Sequence, residues 1–140
     1  MRFVLDTNVV VAAMRSPAGA SAALLMAARQ KKIAILANVA LALEYEATCL
    51  RAEHGVAARL RPQQVAIFVD AVIAMIEPVE THFLWRPQLR DPADELVLEA
   101  AANGRASAIV TFNAGDFGTV PLEFGIEVLS PVDALRRIKP

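Results

Sequence analysis

Four short runs constrain the fold of this chain more than any other feature: RFVL at residues 2–5, IAIL at 33–36, AIVT at 108–111 and IEVL at 126–129. They are mostly apolar and of strand length, and they lack the long in–out alternation of a sheet with one wet face. Stretches of helical period fill the intervals. A helix is expected over 9–14, stopped by Arg15-Ser16-Pro17-Ala18-Gly19, and another over 20–32 with Arg29, Lys31 and Lys32 in its last turn. Asn38 is a good N-cap for a helix over 39–51, closed by a turn at Glu53-His54-Gly55. Pro62 opens a helix over 63–75 with Val65, Phe68, Val69, Val72 and Met75 on one face. After Pro78, residues 79–85 read as an edge strand. Asp91-Pro92 opens a helix that Asn103-Gly104 ends, residues 113–117 form a turn, and 131–138 a last helix. Strands alternating with helices imply an α/β fold, one domain over 1–140, whose central and mainly parallel sheet is covered by helices on both faces.

Hydrophobic residues make up 56% of the chain, above the roughly 45–50% of an average soluble protein, which points either to a thoroughly buried sheet or to a further apolar surface for a partner. The net charge of -1 gives no global attraction for nucleic acid, so any such ligand needs a local basic patch. Cys49 is the only cysteine, and His54 and His82 lack metal-ligand spacing. Any metal must therefore be held by oxygen. No apolar stretch approaches the ~20 residues that span a bilayer, and a cytoplasmic protein is the expectation.

The carboxylates then matter. Asp6 follows the first strand directly, at the carboxyl edge where open α/β sheets bind ligands, and Asp116 lies a few residues beyond the strand that ends at Thr111. Asp94 shares a helical face with Val97, Leu98 and Ala101; taken alone, an Asp in a first turn also complements the helix dipole. Glu44 shares a face with Ala40, Leu41, Ala47 and Thr48, while Glu46 is similarly surrounded, and periodicity does not choose between them. If Asp6, Glu44, Asp94 and Asp116 converge, each close pair of like charges costs on the order of 4 kcal/mol at an effective dielectric near 20. A divalent cation offsets that repulsion, and all-oxygen ligation favours Mg²⁺ or Mn²⁺.

Five segments, VLDTNVVVAAM, NVALALEYEATCLR, RDPADELVLEAA, IVTFNAGDF and FGIEVLSPVDALRRI, occur here in an order and spacing that resembles the PIN-domain ribonucleases, and more narrowly the VapC-like toxins of type II toxin–antitoxin pairs. The resemblance implies a three-layer sheet between helices and an acidic cluster holding Mg²⁺ or Mn²⁺. It gives Asp6 the role of the first-strand acid, with Asn8 orienting it, selects Glu44 over Glu46, and makes Asp94 the third acid. Many relatives carry an Asp two residues after the late-strand Thr; here that place is Asn113, which offers only a carbonyl oxygen, and Asp116 becomes the remaining acid. Thr111 is placed to hydrogen-bond a carboxylate or a metal-bound water. The implied partners are RNA, a small antitoxin that covers the acidic site, and a second copy of the chain.

The expected reaction is hydrolysis of an RNA phosphodiester by water. Arg51, Arg59, Arg61, Arg86 and Arg90 are candidate phosphate contacts, and Phe112, Phe117 or Trp85 candidate stacking faces. Two other readings compete. One is a phospho-transfer receiver or phosphatase on a similar sheet, for which Lys31, Lys32 and Lys139 are poorly placed; the other is a catalytically silent binding module.

Overall fold

The computed structural model describes residues 1–82 and 87–138. Five parallel strands form one sheet in the order β3-β2-β1-β4-β5, with β1 at Arg2–Leu5, β2 at Ala34–Ala37, β3 at Ile76–Pro78, β4 at Ala108–Val110 and β5 at Glu127–Leu129. Every residue of β4, and all but the first of β1 and β2, is buried. Successive side chains point to opposite faces, so both faces of the central strands are covered. This is the α/β arrangement that the apolar runs imply.

Eight helices accompany the sheet among the described residues: α1 (Thr7–Arg15), α2 (Ala20–Arg29), α3 (Val39–Cys49), α4 (Ala52–Ala58), α5 (Pro62–Met75), α6 (Pro92–Asn103), α7 (Val120–Glu123) and α8 (Pro131–Ile138). Helix α6 packs on β1, β2 and β4, and α3 packs against α1, α5 and α6. Helix α2 lies against α1, α5 and α8. None of these helices is by itself long and apolar enough to cross a membrane; α1 and α2 pass that test only as a pair bent by 98°.

Three elements depart from the sequence reading. The expected turn at Glu53-His54-Gly55 is the middle of α4, and the chain breaks earlier, at Leu50–Arg51. Gly55 is a buried helix-interior residue, and a Cβ there would make only ordinary van der Waals contacts, with Val65 Cγ2 at 3.4 Å and the Leu60 carbonyl at 3.6 Å. The edge strand begins at Ile76, directly after α5, and includes Pro78; residues 83–85 of the expected strand lie outside the described residues. Proline is tolerated because β3 is the last strand of the sheet, so its missing N–H breaks no ladder on the open side. The short helix α7 has no counterpart in the sequence reading.

At the close of α6, Gly104 is buried, and a Cβ placed on it would lie 2.8 Å from Val79 Cγ2 and 2.9 Å from the Ala100 carbonyl oxygen. Gly104→Ala is expected to destabilise the protein by about 1–3 kcal/mol through this overlap, measured by denaturant unfolding; an unchanged midpoint would show that the α6 end has room to move.

Candidate active site

The first acid is built into the sheet itself. The Asp6 amide donates to the Val110 carbonyl at 2.9 Å, which extends the β1–β4 ladder by one residue beyond Leu5. Its carboxylate then does two things. Oδ1 accepts the Thr7 amide at 2.8 Å, making Asp6 the N-cap of α1. Oδ2 accepts the Thr111 hydroxyl at 2.7 Å. Thr111 is itself fixed, because its amide donates to Leu129 O at 2.9 Å and its Oγ1 accepts the Asn113 amide at 2.9 Å. From below, the buried Tyr45 hydroxyl of α3 donates to the Leu5 carbonyl.

Asp94, the third residue of α6, is buried like Asp6, each at 8% exposure. Its carboxylate takes no hydrogen bond or ion pair among the described residues. Burial first, then the charges of Asp6, Asp91 and Asp116, push its pKa up to about 6. Asp6 is also raised, by burial above all; the bonds from Thr111 and Thr7 oppose the rise, and Asp116 and Asp91 add to it. Asp6, Asp91, Asp94 and Asp116 therefore share one electrostatic neighbourhood at the carboxyl ends of β1 and β4. Among the described residues no Lys or Arg forms an ion pair with any of them.

Asp91 is the member that the sequence reading treated only as a helix opener. It caps α6 by accepting the Ala93 amide at 2.9 Å, one helical turn before Asp94, and that three-residue spacing was its available signal. Asp116 stands exposed on the single 3₁₀ turn Ala114–Phe117, its amide bonded to Asn113 O at 3.0 Å. Asn113 is exposed as well.

Glu44 lies elsewhere. It is half-buried on α3, accepts the Thr48 hydroxyl at 3.2 Å, and does not figure among the charges acting on Asp6 or Asp94. It lines a depression of about 560 Å³ with Asn8, Arg15, Thr48, Arg51, His54 and Phe112. Asn8, expected to orient Asp6, makes no hydrogen bond to it among the described residues. It belongs to the α1 face that also carries Val11, Ala12 and Arg15 and looks into the Glu44 depression, so Thr7 N and Thr111 Oγ1 hold Asp6 instead. Arg15 at the end of α1 is a cation that the sequence reading passed over, although its seven-residue offset from Asn8 puts both on one helical face.

The other candidates separate by position. Arg90 lines a second depression, about 460 Å³, with Asp91, Asp94 and Asp116. Arg59 and Arg61 are the residues that end α4 and begin α5, outside both depressions, and Arg86 and Trp85 lie outside the described residues. Phe117 is fully buried in the core and offers no stacking face, whereas Phe112 is 55% exposed. Burial pushes the Cys49 thiol up to about 11, which leaves it inert.

Residues 2–115 match the PIN domain. The chain belongs to the PIN domain family. PIN domains are generally nucleases and generally use divalent metal ions. Over 93% of this chain the backbone is similar to 98% of a chain in the crystal structure of VapBC2 from Rickettsia felis bound to a DNA fragment from their promoter, with a TM-score of 0.62. The identity is 16%, so that likeness concerns the fold. A comparison with curated proteins gave no match.

The donors of this PIN domain suit a hard cation by type, being carboxylates that repel one another without a basic partner. Among the described residues no three of His, Cys, Asp or Glu stand close enough to enclose an ion outright. An ion held by one or two carboxylates and several waters, the habit of Mg²⁺, fits such an open set. Because the folded pKa of Asp94 exceeds the usual 3.8, the fold binds that proton more tightly than the unfolded chain does. The corresponding stability is complete below about pH 4 and is lost as the pH rises through about 6. Asp94→Asn is accordingly expected to raise the thermal midpoint by about 3 °C at pH 7 and to change it little at pH 4. In the wild type, millimolar Mg²⁺ or Mn²⁺ should raise the midpoint more at pH 7 than at pH 5; thermal scans across pH read both effects.

Proposed function

We propose that this PIN domain is a metal-dependent endoribonuclease, the toxin half of a VapC-like toxin–antitoxin pair. The observation that carries the reading is the pair of buried acids, Asp6 and Asp94, both pushed up in pKa by burial and by neighbouring aspartates without a counter-charge, at the carboxyl edge of a PIN-family sheet. Asp6 and Asp94 would hold Mg²⁺ or Mn²⁺ among several waters, with Asp116 and, from α3, Glu44 acting on the ion through those waters. A bound ion supplies charge neutralisation at the scissile phosphate and a more acidic water.

The chain's own residues account for the rest. Asp6 keeps one orientation because Thr111 and the Thr7 amide occupy both its oxygens. One of these carboxylates would accept a proton from the attacking water. The water oxygen forms the new P–O bond, the ester P–O bond breaks, and the leaving oxygen takes a proton from solvent. Arg90 beside the aspartates and Arg51 beside Glu44 contact flanking phosphates.

Partners follow from the same reading. The R. felis relative was crystallised as VapBC2, and an antitoxin of that kind is proposed here, in the cytoplasm. Val39 and Leu43 of α3, Val56 of α4 and Ile67 of α5 are large apolar side chains left exposed, which supports burial against an antitoxin or in a homodimer.

Purified protein should cleave a mixed RNA pool with Mg²⁺ or Mn²⁺ and stop on chelation. Asp6→Asn, which keeps an oxygen to cap α1, and Asp94→Asn should each lower the rate by about 10²-fold or more with the fold intact by circular dichroism. Cleavage that survives both substitutions would refute the assignment. The absence of cleavage by any version together with tight protein capture would favour the binding module, and phosphate incorporated on Asp6 the receiver.

A further inference from the structure

The depression between α1, α3 and α4 holds features that the aspartate cluster does not use. Asn8 Oδ1 and His54 Nδ1 are both buried and without a hydrogen-bond partner, and both residues line it. An unpaired buried polar atom costs about 1–3 kcal/mol, a cost that a small rotation of each side chain toward a ligand in the depression would recover. Phe112 stands at the rim with more than half its surface exposed, although it directly follows Thr111, the residue bonded to Asp6. Exposing an aromatic ring there gains nothing for the core. Arg15 and Arg51 add positive charge to the lining, and Glu44 and Thr48 add acceptors. The volume, about 560 Å³, lies within the ordinary range for small-ligand sites.

We infer that this depression is a nucleotide subsite that takes one unstacked base of a single-stranded RNA next to the scissile phosphate. Phe112 provides the stacking face, Asn8 and His54 meet the base edge, and Arg15 and Arg51 hold the adjoining phosphates. Base edges carry both donors and acceptors, so Asn8 Oδ1 receives an N–H while either tautomer of His54 finds a partner. A stacked, hydrogen-bonded base also anchors the register of the strand. The site of cutting is then chosen by the base that enters here, and the aspartates act on the phosphate beside it. This rests on the nuclease reading for the identity of the strand.

The test measures binding, separately from cleavage. Fluorescence anisotropy of a short labelled RNA is read with the Asp94→Asn protein, in which one repelling charge is removed. The RNA is compared with copies that each lack a single base. One abasic position should weaken binding about tenfold. In the Phe112→Ala, Asp94→Asn double variant the same position should cost less than about twofold, while Ile67→Ala in place of Phe112→Ala leaves the tenfold loss. A uniform profile, or a tenfold loss that persists without Phe112, overturns the subsite. Wild-type protein that shows the positional loss yet cleaves none of these RNAs with Mg²⁺ would sustain the subsite and refute the nuclease.

Discussion

The carboxylate of Asp6 is shared between two obligations, and the arrangement of the sheet edge depends on that sharing. One oxygen starts α1; the other ties the end of β1 to Thr111 at the end of β4. Both bonds stabilise the ionised form, and burial opposes it more strongly. The group is thus held in place by contacts that do not relieve its charge. Adding Asp94, with no hydrogen bond of its own among the described residues, increases a strain that only protons or a cation can release. Stability and chemistry compete at this edge, which is where a hydrolytic site would be expected to show it.

Much of the fold was legible because its strands are buried on both sides and its helices repeat cleanly. Runs such as RFVL and AIVT leave no alternative face to expose, and Asn38, Pro62 and Asp91-Pro92 mark helix starts by local chemistry alone. Gly55 misled because glycine usually marks a turn, whereas here it is a buried helix-interior residue of α4. The β3 boundary was missed for a related reason: Pro78 ends a helix in sequence logic, but at a sheet edge it is an acceptable strand residue.

The site divides in the same way. Asp6 and Asp94 were visible as charges set into apolar faces, and Asp116 by its place after a strand. Asp91 was hidden by its capping duty, which is real and coexists with its field on Asp94. For Asn8, adjacency in sequence proved a poor guide, since the first turn of a helix fans consecutive side chains by about 100° and carries it away from Asp6. Helical period also placed Glu44 beside Leu41 and Thr48, but could not say that its α3 position faces a cavity apart from the aspartates.

The chain order of the strands has a consequence during synthesis. Asp6 is translated 105 residues before Thr111, which clamps it, and Thr111 is in turn pinned by the Leu129 carbonyl in β5. A nascent polypeptide bearing the first acid has no organised site until β5 has been translated. Whatever chemistry this sheet edge performs is therefore held back until the strands that organise it have paired.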